Sequence, residues 1–248
     1  MKAFSAVSVL AAALSGSAVA GPLLSVNATV VSGGQSWIKS DSSTGEASGS
    51  LGTYQYVGGL VSNFPTTKWG IGWDLLGDDT AVKPNATFLT NGLTVTNYTN
   101  SSMTFDITVT LAASTASPVL LNCFGSMGGT LAVNSGASGS TASLTRTGSL
   151  DMWQGLINGT SKLPLNLAVT PVTTTTSVAL TGVNGTWNAS SAVTLSSIGY
   201  RMQFTLGANS TANFTGVWSG TVVPTPGAVA MLFAATGAGA FRRRRSSH

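Results

Sequence analysis

The sequence predicts an all-β fold, an antiparallel β-sandwich of Ig-like or jelly-roll-like type, on three observations. Period-two alternation of apolar and polar residues recurs between residues 24 and 218, whereas helical periodicity is scarce. Clusters of Gly, Asn and Ser interrupt the alternating runs at short intervals, as turns between strands do. Charged residues make up only 7% of the chain, so Ser, Thr, Asn and Gly must supply the solvated surface. That composition suits strands and their turns.

The chain opens with Lys2 followed by an apolar stretch, Ala3 to Leu14. Ala18-Val19-Ala20 then places small residues two apart ahead of Gly21. This order is expected of a secretory signal peptide over residues 1–20, cut between Ala20 and Gly21. A translocon and a signal peptidase are the partners it implies.

Residues 21–221 carry the strand signals of one predicted β-sandwich domain. In Leu93–Tyr98 and Met103–Leu111 the alternation is clean, with Met103, Phe105, Ile107, Val109 and Leu111 on one face. Thr99-Asn100-Ser101-Ser102 lies between them, so the pair reads as a hairpin. A second hairpin is read where Ile198, Tyr200, Met202, Phe204 and Leu206 share a face, Gly207–Ser210 turns and Thr211–Trp218 returns. Further strands are expected at Leu24–Val31, Thr53–Val61, Thr87–Leu89, Val119–Phe124, Thr141–Thr145, Leu165–Val169 and Ser177–Leu180. Gly125–Ser140 reads as loops around a short strand, Thr130–Val133. The one short helix predicted is Asp151–Ile157.

The C-terminal segment, residues 222–248, has a different character. Val223-Pro224-Thr225-Pro226 precedes a run without charge from Gly227 to Phe241, and Arg242-Arg243-Arg244-Arg245 follows directly. Pro226 suits the first turn of a helix, where its missing N–H costs nothing. The predicted transmembrane helix, 227–241, has fifteen residues. At ~1.5 Å rise it covers about 22 Å of a hydrocarbon core about 30 Å thick. Snorkelling arginines and the preceding Val222 and Val223 would close part of the difference. The four arginines hold the cytoplasmic side, which places the β-domain outside.

This tail resembles the PEP-CTERM sorting signal of bacteria, in which a proline motif, a transmembrane segment and an arginine cluster stand in this order. The resemblance covers residues 223–245, with Thr225 where the common form has Glu. It implies recognition of Pro224, Thr225, Pro226, Gly227 and Arg242–Arg245 by an exosortase-like membrane transpeptidase. That enzyme would cleave near the prolines and release or attach the mature protein. Proteins with this signal tend to accompany exopolysaccharide production, which makes exopolysaccharide an expected partner.

The net charge of +4 belongs to these end segments. Without Lys2 and the four tail arginines, six basic residues face seven acidic ones, a net charge of −1. A nucleic-acid partner is therefore not expected. The only histidine is His248, behind the anchor, so neither a Ser-His-Asp nor a Cys-His arrangement is available to the β-domain. The single cysteine, Cys123, lies in an apolar strand-like run and reads as a buried, inert thiol. No cofactor is expected.

One segment concentrates candidate ligand chemistry. Asp74, Asp78 and Asp79 offer hard oxygen ligands on a Gly-containing stretch suited to calcium, without the spacing of an EF-hand loop. Trp69 and Trp73 beside them form the best pair for stacking on a sugar. Nine Asn-x-Ser/Thr triplets begin at Asn27, Asn85, Asn97, Asn100, Asn158, Asn184, Asn188, Asn209 and Asn213. Turn chemistry and a polar β-surface account for them without glycosylation.

The expected function is therefore that of a non-enzymatic, exported surface or extracellular-matrix protein. It would be anchored transiently through its C-terminal helix and then carried to the cell surface or beyond. The alternatives are a carbohydrate- or calcium-binding module acting through Trp69, Trp73, Asp74, Asp78 and Asp79, and a polysaccharide hydrolase using two carboxylates.

Overall fold

The computed structural model describes residues 21–223 apart from 63–67, 80–84, 114–118, 135, 138, 150 and 167–170, and leaves the side chains of 85–91, 222 and 223 undescribed. The predicted signal peptide with Ala18 and Ala20, and the predicted tail with Pro224, Thr225, Pro226, Gly227 and Arg242–Arg245, lie outside the described residues.

Every regular element among the described residues is a strand. In chain order these are β1 (Leu23–Ser32), β2 (Gln35–Thr44), β3 (Glu46–Ala47), β4 (Thr53–Val61), β5 (Trp69–Asp78), β6 (Asn85–Asn97) and β7 (Met103–Ala112). They continue with β8 (Val119–Val133), β9 (Ala142–Arg146), β10 (Trp153–Ile157), β11 (Thr160–Leu165), β12 (Val172–Thr174), β13 (Ser177–Thr194), β14 (Ser197–Leu206) and β15 (Ser210–Val223). All pairings are antiparallel. One sheet runs β11-β10-β14-β7-β1-β2, with β9 continuing beside β14 and β12 beyond it. The other runs β13-β8-β15-β6-β5-β4-β3.

Alternation explains why these segments are strands and which face each buries. β5 and β7 bury every second residue along their whole length. The five residues predicted to share a face of β7, and the five of β14, are all buried. Residues from both sheets join one hydrophobic cluster. Aromatic rings carry the contact between sheets. Trp153 of β10 meets Trp218 of β15 edge-on at 5.7 Å, and Phe204 of β14 meets Phe214 of β15 at 5.2 Å.

The two predicted hairpins are not hairpins. β6 pairs with β5 and β15, whereas β7 pairs with β1 and β14. The turn between them therefore carries the chain from one sheet to the other. The same holds from β14 to β15. Both crossings lie side by side, because Asn97 pairs with Ser210 in one sheet and Met103 with Leu206 in the other. Alternation gave the buried faces correctly, but it is blind to which strand lies alongside.

Three other expectations are corrected. Asp151–Ile157 contains β10, not a helix. Its helix-like spacing arises because Leu156 is apolar although it lies on the face opposite to Trp153, where it is 6% exposed, while pairing with β14 runs unbroken from Trp153 to Ile157. Gly125–Gly129, expected as loop, is strand and joins the predicted strands Val119–Phe124 and Thr130–Val133 into β8. Its glycines admit the neighbouring backbone: a Cβ at Gly129 would stand 2.1 Å from the Asn213 carbonyl oxygen. Finally, Val222 and Val223, expected to help lengthen a membrane span, pair with Leu120 and Val119, so they cannot do so while β15 is paired.

Candidate functional site

The residues singled out from sequence do not converge. Trp69 and Trp73 point inward from β5 and are 0% and 4% exposed, so neither can stack on a sugar. Asp74 and Asp78 lie on the opposite face, four residues apart, or about 13 Å at ~3.3 Å per residue. Asp74 accepts from Gln55 Nε2 at 2.7 Å, and Asp78 accepts from Thr53 Oγ1 at 2.8 Å. Asp79 is buried on the core side, close enough to raise the pKa of Tyr56, whose shift comes first from burial. The expected acidic loop is a strand, and alternation sends its carboxylates to two faces. Among the described residues no three His, Cys, Asp or Glu side chains stand close enough to hold a metal ion.

Two tryptophans, Trp37 and Trp187, are partly accessible, and each is covered by a lysine. Lys68 Nζ stands 5.4 Å from the Trp37 ring and Lys162 Nζ 5.6 Å from Trp187. Cys123 is 2% exposed, and burial pushes its thiol up to about 12, which removes it as a nucleophile at neutral pH.

A cleft that the sequence reading did not single out lies on the solvent face of the β1–β2–β7–β14 sheet. Its volume is about 370 Å³, at the small end of ligand sites of ~300–1,000 Å³. The lining crosses six consecutive strands, from Ile38 on β2 to Ser161 on β11. At ~4.8 Å per strand this is a trough about 24 Å long, perpendicular to the strands.

An ion pair sits at its centre. Arg201 of β14 faces Thr108 of β7 and reaches diagonally to Asp106, itself opposite Gln203. Its Nε donates to Asp106 Oδ1 at 2.8 Å, and its Nη2 donates to Oδ2. Gln203 Nε2 donates to the same Oδ2 at 3.0 Å. The hydrogen bond to Asp106 raises the Arg201 pKa further, against the lowering effect of burial. The pair is partly exposed, with side chains 41% and 29% accessible, so it contributes little to stability. Its effect is to fix a two-point fork in one orientation.

Unspent polar groups surround the pair. Asn27 on β1, Thr108 and Thr110 on β7, Gln154 on β10 and Ser161 on β11 all line the trough. Leu156 lies buried at its floor, and Ile38, 79% exposed, adds apolar surface. The polar parity of β7 and β14 was visible in the alternation; that these strands are neighbours, bringing Asp106 to Arg201, was not.

No protein-family model, curated protein or solved structure matches the chain.

Proposed function

We propose that this protein is a non-enzymatic, exported surface or extracellular-matrix protein, delivered by a C-terminal sorting segment of the PEP-CTERM type. The observation that best supports this reading is how the described chain is held at its two ends. β1 starts at Leu23, two residues after the expected mature N-terminus, Gly21. β15 lies inside its sheet, between β8 and β6, and is paired with β8 as far as Val223. A cut at Gly21 and another within the proline motif would leave every described strand residue in place.

In this reading residues 1–20 bring the chain to the translocon and are removed by signal peptidase. Residues 227–241 hold it in the membrane, and Arg242–Arg245 keep the extreme end on the cytoplasmic side. The exosortase-like enzyme then acts near Pro224–Pro226, and the Ser/Thr-covered domain proceeds to the cell surface or matrix. Replacing Arg242–Arg245 with alanine in a host that carries such an enzyme tests this. The expected result is an unprocessed form accumulating in the membrane fraction. Processing at the unsubstituted rate would overturn the reading.

A further inference from the structure

We propose that the trough across the β2–β1–β7–β14–β10–β11 face is a binding site for a neutral saccharide chain. Its electrostatics point to a ligand without net charge. The charged side chains lining it are Asp106 and Arg201, and they neutralise one another through two hydrogen bonds. An anionic chain would find no uncompensated cation, and a cationic one no free carboxylate.

The donor and acceptor pattern narrows the class further. Asp106 is already taken at both oxygens, by Arg201 and by Gln203 Nε2. Arg201 keeps the N–H groups of Nη1 for a ligand. Asn27 and Gln154 each present an amide that donates and accepts, and Thr108, Thr110 and Ser161 present hydroxyls that do both. Such mixed groups in a row match vicinal hydroxyls, which also donate and accept. Ile38, exposed at one end of the trough, supplies apolar surface against which the C–H face of a sugar ring can lie.

Shape separates a chain from a small compact ligand. The trough is open to solvent and spans six strands while enclosing only about 370 Å³. A long shallow site suits internal units of an extended polymer. A peptide is disfavoured because the trough lies on a sheet face, where the backbone N–H and C=O groups are spent on neighbouring strands, so no strand can be added. The trough also lacks the deep apolar pockets that peptide side chains require.

The test is titration of the mature protein with neutral β-glucan, α-glucan and galactan hexasaccharides, followed by amide chemical shifts. A uronate hexasaccharide and a neutral hexapeptide serve as the other arms. The expected result is saturable binding of at least one neutral hexasaccharide, with shifts confined to β1, β2, β7, β10, β11 and β14. Asn27→Ala and Gln154→Ala lie at the surface and should preserve the fold, as their spectra will show. Each should weaken binding at least tenfold, whereas Phe124→Ser on the opposite sheet should leave it unchanged. Absence of binding to every neutral hexasaccharide at 5 mM ligand would overturn the proposal. So would binding that both cleft variants leave intact, or saturable binding of only the uronate or the peptide at this face.

Discussion

Asn97 shows how much one side chain can hold in this fold. It is 0% exposed, yet all its polar groups are engaged. Its Nδ2 donates to the carbonyls of Ser101 at 2.7 Å and Gly207 at 2.8 Å, with Leu206 O at 3.2 Å. Its Oδ1 accepts from Thr99 N and Thr99 Oγ1, and its carbonyl accepts from Asn134 Nδ2. One asparagine thus ties together the β6–β7 and β14–β15 crossings. Asn97→Ala would strand buried carbonyls and should cost about 2–4 kcal/mol in chemical denaturation. Asn184→Ala, exposed on β13, should stay within about 0.5 kcal/mol. Equal losses for the two would contradict this account. Asn158 acts similarly at another junction. With φ of 52° it forms, with Gly159 at 73°, the two-residue turn between β10 and β11. Its Oδ1 accepts from Ser196 N, Ser196 Oγ and Ser197 N, and its Nδ2 donates to Thr194 O. Both residues begin Asn-x-Thr triplets, and their side chains are occupied by turn and crossing chemistry.

At the scale of elements, the sequence was most legible where alternation was uninterrupted, as in β7 and β14. It is least legible where glycines or apolar residues on the outer face disturb the period. β10 is the clearest case, because apolar Leu156 on the face opposite to Trp153 imitates a helical spacing, while Asn158-Gly159 is the local signal for a hairpin. Gly155 in β10 also shows why a residue without a side chain is needed inside a strand. A Cβ there would stand 2.8 Å from the Trp218 ring, which is 1% exposed and whose Nε1 donates to Leu156 O. Gly155→Ala should therefore destabilise the protein by about 1–3 kcal/mol through overpacking. Thermal unfolding checks this, and an unchanged midpoint would mean that the contact between sheets is looser than the structure shows. The ligand patch expected at Trp69, Trp73, Asp74, Asp78 and Asp79 does not assemble for a related reason. Neighbours in sequence do not share a site here, because a strand sends alternate residues to opposite faces. The trough has the reverse origin: its residues are scattered from Asn27 to Arg201 and meet only through strand order.

At the scale of the whole molecule, the sequence divides into segments read as instructions for transport and a β-domain whose binding face emerges from topology. The net charge of +4 for the full chain falls to −1 when Lys2 and Arg242–Arg245 are set aside. That leaves a nearly neutral body with a surface built from Ser, Thr and Asn. Such a body carries no long-range field to draw in a charged partner, in keeping with a trough whose one carboxylate and one guanidinium are paired. Binding and delivery are separable in this account, since the trough lies on one sheet while the chain leaves through β15 of the other.

The most direct test of the delivery reading is the intact mass of the mature protein isolated from its native cells. The account predicts an N-terminus at Gly21 and a C-terminus within a few residues of Pro224–Pro226, either free or carrying the mass of an attached group. A native chain that runs through Arg242–Arg245 to His248, in cells with an active sorting enzyme, would contradict it.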